Sequence, residues 1–278
     1  LAELPLNAFS SVQIWRTLPP PRLMSSSIGG AINLVPKSSG TATSVSAGSF
    51  GWKRGELSHA QKKGAQTLLF LNGYQAKGSY PYFDNNSTLY NELDDRVRSR
   101  QNNQKHQGSV LSIVKINDVQ LLYSGLYRAH GIPGSIAMRT DQTSFKVGQH
   151  LLSLRWAQTR PRSHHQLSTW STLRDELYRD PLGELPSGTQ ETESQFTTAG
   201  IRGQSTLMLS SAWSTSIGLS GRFEQLQQDQ IPILSPQDHT RGVAKAQVGI
   251  SRITSGWECL VFLQEAWMLE QETTTQLN

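Results

Sequence analysis

Ser26-Ser27-Ile28-Gly29-Gly30-Ala31-Ile32-Asn33-Leu34-Val35-Pro36-Lys37 is the stretch around which the chain is organised. Gly29-Gly30 marks a tight turn, and Ala31 to Val35 reads as a short apolar strand. Pro36 ends it, because proline cannot donate to a strand ladder. Upstream, Ser11 to Arg16 is a second strand-like run, closed by Pro19-Pro20-Pro21. Downstream the chain changes character and becomes one β-hairpin after another.

From Gly40 onward, alternation of apolar and polar residues predicts strands. The expected runs are Thr41 to Ala47, Lys53 to Lys62, Thr67 to Tyr74, Gly108 to Ile116, Gln120 to Tyr127, Leu151 to Thr159, Gln166 to Tyr178, Phe196 to Leu209, Trp213 to Leu226, Val243 to Ile253 and Trp257 to Leu269. This gives about eleven strands of roughly ten residues each. Their connections alternate between tight turns (Lys63-Gly64, Asn117-Asp118, Arg160-Pro161-Arg162, Ser210-Ser211, Ser255-Gly256) and long polar loops, the first loop at Ser49-Phe50-Gly51 being short. A membrane barrel has that asymmetry, with short turns on one side and longer loops on the other. A soluble sandwich has no reason to put every long loop at one end. The fold class expected is therefore all-β, an antiparallel up-and-down transmembrane β-barrel.

The strand faces agree. Trp213, Thr215, Ile217, Leu219 and Phe223 alternate with Ser214, Ser216, Ser220, Arg222 and Glu224, and Ala244, Ala246, Val248 and Ile250 alternate with Lys245, Gln247 and Ser251. One face suits lipid, the other a wet lumen. Trp213 and Trp257 follow short turns directly and Trp156 precedes one. An interfacial aromatic girdle would lie there; packing in a soluble core is the alternative.

Composition sets the outer bounds. Hydrophobic residues make up 36% of 278, and the mean hydropathy is −0.43. No apolar run approaches the ~18 residues of a transmembrane helix, whereas alternating barrel strands average out as hydrophilic. The net charge of +5 is scattered, without a basic stripe interleaved with aromatics, so no nucleic-acid partner is expected. Cys259 is the only cysteine, which excludes an intrachain disulfide and a cysteine metal site. Leu1-Ala2-Glu3-Leu4-Pro5 has neither a basic n-region nor an apolar h-region. A secreted protein needs a signal peptide, so the chain is expected to start inside a longer protein, and its end is open to the same reading.

No catalytic motif is supported, and no enzyme activity, metal site or cofactor is expected. Ser112 and Lys115 fit Ser-x-x-Lys but lie on a strand, where the acyl-enzyme motif needs a helix. Gly73-x-x-x-x-Gly78-Ser79 lacks the lysine that a phosphate loop carries directly after its second glycine. His164 and His165 point to opposite strand faces and cannot share an ion, and the other histidines lack ligand spacing. Binding chemistry is instead expected in the long loops. Tyr80, Tyr82, Phe83 and Asn85 combine rigid aromatics with hydrogen-bonding groups, a mix that grips a small amphipathic ligand. Arg96, Arg98 and Arg100 recur every second residue; on a continuing strand they would line one face, either to attract an anionic ligand or as a solvated rim.

The stretch Ile28-Gly29-Gly30-Ala31-Ile32-Asn33-Leu34-Val35 with Lys37 resembles the end of the plug domain of TonB-dependent outer-membrane receptors, where Ile-Gly-Gly-x-Ile-Asn-Leu-Val and a basic residue feed into the first barrel strand. Ser11 to Arg16 resembles the penultimate plug strand; Thr17 stands where the family has glycine, and Leu23-Met24 replaces its aromatic-Gly pair. Tyr127-Arg128-Ala129-His130-Gly131-Ile132-Pro133-Gly134 resembles an early strand and its loop in the same family. The resemblance implies that residues 1–38 end a plug and that residues 39–278 begin a barrel, about half of the roughly 22 strands of such transporters. It implies a bacterial outer-membrane location and import of a scarce small-molecule or metal-chelate ligand, such as an iron-siderophore or cobalamin complex. Plug displacement would be energised through TonB, whose contact segment in this family is N-terminal and absent here. Leu68 to Tyr74 and Leu260 to Leu263 are apolar on both faces; their inner side would touch the plug, or the register is shifted. A passive porin or adhesin barrel and a soluble β-sandwich or propeller-like module are the alternatives. Two open sheet edges would make the chain alone prone to aggregation.

Overall fold

The computed structural model describes residues 6–16, 31–85, 93, 95–135, 139–186, 188–231, 237–254 and 257–274. Two strands, β1 (Phe9–Trp15) and β2 (Ala31–Pro36), pair with each other alone. Eleven strands then form one antiparallel sheet: β3 (Gly40–Ala47), β4 (Lys53–Lys63), β5 (Ala65–Ala76), β8 (Lys105–Ile116), β9 (Val119–Gly131), β10 (Ser144–Arg160), β11 (Ser163–Asp180), β12 (Gln190–Met208), β13 (Trp213–Ile231), β14 (Gln237–Thr254) and β15 (Trp257–Thr274). The missing numbers belong to a hairpin, β6 (Pro81–Asp84) and β7 (Arg96–Ser99), carried by the connection between β5 and β8. Apart from that hairpin, every neighbour in the large sheet is the next strand in the chain, so this is an up-and-down meander with edges at β3 and β15.

The tight turns fall where small or turn-forming residues stand. Gly64 (φ 76°) joins β4 to β5, and Asn117 (φ 50°) opens the turn before β9. The strands are longer than their sequence pattern predicts: β10 to β15 run 17 to 19 residues rather than ten. The loop segments 144–150, 190–195, 227–231 and 237–242 are ladder instead. In 190–195, 227–230 and 237–242 both faces are polar, so no alternation betrays the strand; in 144–150 Phe145 and Val147 do alternate with Lys146 and Gly148, but on the inner face. The segment expected to be a continuous polar loop, 78–104, contains the β6–β7 hairpin.

Strict pairing fixes which side chains share a face. Across the sheet Leu68, Ile113 and Leu122 are in register, as are Phe70, Leu111, Ser124 and Leu151. On this face Ala8, which ends a short 3-10 turn (Leu6–Ala8), and Phe9, the first residue of β1, pack against Ala60, Leu68, Phe70, Leu111 and Ile113. Asn7 Nδ2 adds a 2.8 Å hydrogen bond to Glu56 Oε2. The inner apolar residues of β5 are thus covered where the N-terminal turn leads into β1, and burying a side chain such as Phe70 contributes about 1.5–3 kcal/mol.

The opposite face carries an exposed apolar band. Leu69, Leu121, Leu152, Ile201, Leu219 and Ile250 are all exposed and all point away from the N-terminal pair. Trp156 and Trp213 lie on this outer face at the short-turn end, half-exposed, with the Arg252 guanidinium 5.2 Å from the Trp213 ring centroid. Trp257 has no described side chain. A surface of this extent is what a lipid-contacting sheet presents.

Candidate ligand-binding face

At the long-loop end, three connections are tied together. The β6–β7 hairpin puts Tyr82 opposite Arg98 and Asp84 opposite Arg96 on one side, and Phe83 opposite Val97 on the other. Asp84 is buried, with Arg98 Nε at 2.8 Å and an Arg139 terminal nitrogen at 2.9 Å from its Oδ2. Arg139 belongs to the β9–β10 loop, so one carboxylate joins two connections. Arg100 leaves the hairpin and donates to the carbonyl of Gly134 in that same loop. Its backbone N–H donates to the Tyr80 carbonyl at 2.8 Å.

Asn102 extends the tie. Its amide donates to the carbonyls of Ile132 (3.0 Å) and Thr143 (2.7 Å). Gly131 must be glycine here, since a Cβ would stand 2.2 Å from Asn102 Oδ1. The β11–β12 connection then closes on the same loop. Glu184 accepts from the backbone N–H groups of Asp141 (2.6 Å), Gln142 (3.0 Å) and Thr143 (3.0 Å), and from the Thr143 hydroxyl (2.8 Å). Asp180 is fully buried and accepts from the N–H groups of Glu184 and Leu185, both at 2.9 Å. Burial raises the proton affinity of Glu184, but the hydrogen bonds from 141–143 outweigh it and hold its carboxyl below the ordinary value of 4.5. The result is a pre-organised rim rather than loose loops.

On this rim Phe83 is 64% exposed, and Tyr80 is exposed with its ring 5.6 Å, edge-on, from Phe50 of the β3–β4 turn. Tyr82 and Asn85 are half-buried, and Arg96 is exposed. Arg96 and Arg98 do share a hairpin face, but Arg98 is already neutralised by Asp84 and Arg100 is spent on a carbonyl. Sequence reasoning missed Asp84, Asn102, Arg139, Asp180 and Glu184, whose partners lie as far as 55 residues away; only a spatial map brings them together. In β2, Asn33 donates through Nδ2 to Gln13 Oε1 at 2.9 Å; Ile28, Gly29 and Gly30 lie outside the described residues. His164 and His165 bond separately, to Thr159 and Ser205, on opposite faces. Ser112 and Lys115 likewise sit on opposite faces of β8.

The inner face of the sheet is polar and charge-paired. Arg-x-Glu along a strand puts both side chains on one face, and this occurs at Arg54–Glu56 (2.5 Å), Arg174–Glu176 (2.5 Å) and Arg222–Glu224 (3.0 Å). Arg241 of β14 joins Glu224 as well.

No protein-family model and no curated protein matches the chain. Solved structures do. The ferric citrate transporter FecA in its unliganded form aligns with 95% of this chain and 43% of its own, at a TM-score of 0.63 and 11% identity. The ferric yersiniabactin uptake receptor FyuA from Yersinia pestis aligns with 95% of this chain and 49% of its own, at 0.56 and 12%. The chain thus spans less than half the length of these structural neighbours. An eleven-stranded meander with one apolar and one polar face, with Ala8 and Phe9 of the N-terminal segment seated on its inner side, has the fold of the TonB-dependent siderophore receptors, over about half of that fold.

Proposed function

We propose that the protein is an outer-membrane receptor that imports a scarce ligand of the iron-siderophore or cobalamin type, driven by TonB-coupled displacement of a plug. Its role is transport, not catalysis. The observation that carries this reading is the N-terminal segment leading into the β1–β2 pair, seated through Ala8 and Phe9 on the polar side of a sheet whose other side is apolar and exposed. A passive porin would leave that inner side to water, and a soluble sandwich would cover the apolar side. Residues 1–38 are the last part of the plug and 39–278 the first part of the barrel. FecA and FyuA are named for ferric citrate and ferric yersiniabactin, which favours a ferric chelate. Tyr80 and Phe83 present the exposed aromatic surface that would meet it, with Tyr82, Asn85 and Arg96 beside them.

Uptake of 55Fe supplied as a panel of chelates, by cells with and without the protein and with and without TonB, tests the reading. At least one chelate is expected to enter only when both are present. The protein should also be found in purified outer membranes as a band whose gel mobility shifts on boiling. Recovery in the soluble fraction with no shift would overturn the proposal.

A further inference from the structure

Several inner-face cations have no carboxylate partner in the ion pairs above, and two of them face one cavity. Arg202 of β12 and Lys245 of β14 flank Ser220 of β13 in the same register row, Arg202 opposite Ser220 and Ser220 opposite Lys245. Two inter-strand steps put the two cations' backbones about 10 Å apart, close enough for both heads to reach one anion between them. Neither has a carboxylate within ion-pair distance among the described residues, and Glu224, the nearest along β13, is already held by Arg222 and Arg241. Two like charges facing each other unpaired are destabilising, and an anion between them reverses the sign of that interaction.

A cavity of about 200 Å³ lies here, bounded by Trp170, Arg202, Ser220 and Lys245. Trp170 is opposite Gly200, and a Cβ on Gly200 would fall 2.3 Å from the indole ring. Glycine at 200 therefore lets the indole lie over the sheet, where its face forms one wall of the cavity. Gly218, in the next row, keeps the cavity from being filled by a side chain. An aromatic plane, two unpaired cations and a hydroxyl together recognise a flat ring that bears an anionic oxygen: the ring stacks, and the oxygens take charge-assisted hydrogen bonds.

We propose that this pocket between β11 and β14 binds the aromatic carboxylate, or chemically similar anionic ring, of a small ligand. It is separate from the loop rim and lies part-way down the inner face. The inference deepens the receptor reading and takes its biological meaning from it, the pocket being a station for the ligand inside the barrel.

Benzoate is the probe, measured by equilibrium dialysis of the 14C-labelled compound against the protein extracted in detergent from the membranes that hold it. Benzoate is expected to bind at least tenfold more tightly than neutral benzamide, and R202Q/K245Q should remove that preference. R202K should retain most of it, because the charge is kept. W170L should lose the preference of the site for benzoate over acetate. Equal binding of benzoate and benzamide by the unaltered protein overturns the proposal without any variant; so does undiminished benzoate binding by R202Q/K245Q. The two readings fail separately. Chelate uptake that depends on TonB, with benzoate binding indifferent to R202Q/K245Q, removes the pocket alone. Charge-dependent benzoate binding without any energised uptake removes the receptor reading and leaves the pocket.

Discussion

Glu184 shows how one carboxylate can order two loops. It receives three consecutive backbone N–H groups and a hydroxyl from 141–143, donors that would otherwise have to be satisfied by water. Because its folded pKa lies below the unfolded one, its contribution is fully present above the ordinary carboxylate value of 4.5 and is lost as pH falls through the lower, folded value. Amide hydrogen-exchange protection of 141–143 should therefore drop in acid, below pH 4.5. In E184Q, protection should be reduced by roughly fivefold at neutral pH, about 1 kcal/mol once solvent screening is allowed for, and the acid step should vanish. A step that survives in E184Q would assign the acid sensitivity to another group. None of this was legible in the sequence, where Glu184 is one acid among many in a Pro- and Gly-rich loop. The aromatic cluster at Tyr80 to Phe83 was legible, because rigid aromatics in a polar loop stand out from composition alone. Arg98 shows the opposite limit: its spacing was visible, its neutralisation by Asp84 was not.

At the scale of the strand, alternation and turn residues were enough to locate all eleven strands of the sheet and to assign the faces of the clearer ones, such as β13 and β14, but not of β5, which is apolar on both sides. It failed beyond the band, in segments such as 190–195 and 237–242, where the two faces become equally polar. The same logic makes substitutions asymmetric. Leu219 is 62% exposed on the outer face, six residues above the short turn. At 3.3 Å per residue and a tilt near 45°, it lies about 14 Å above the turn, near the middle of an apolar band about 25 Å tall. L219R should cost about 2–4 kcal/mol in urea titrations of folding into lipid vesicles. Thr198, on the inner face and opposite Glu224, should accept lysine within about 0.5 kcal/mol of the parent. Equal costs for L219R and T198K would mean that the faces have been exchanged.

For the whole molecule, parity decides what the sheet can become. Each strand runs opposite to its neighbour, so in an eleven-stranded meander the first and last strands run the same way. Joining β3 directly to β15 would need a parallel seam, whereas bacterial single-chain barrels have even strand numbers and antiparallel closure. The edges are also mismatched in length, 8 residues in β3 against 18 in β15, so a direct seam would leave much of β15 unpaired in a medium with no water to satisfy it. An odd number of further strands resolves both problems, and the structural neighbours, about twice as long, have room for them. Residues 1–278 expressed alone should therefore give no monomeric band whose mobility shifts on boiling, and should associate through the β3 and β15 edges. Cross-linking between cysteines placed at Thr43 in one copy and Leu269 in another would identify that association. A monomeric, heat-shifting band from residues 1–278 would mean that the eleven strands close on themselves in parallel, and the half-barrel reading would fall with it.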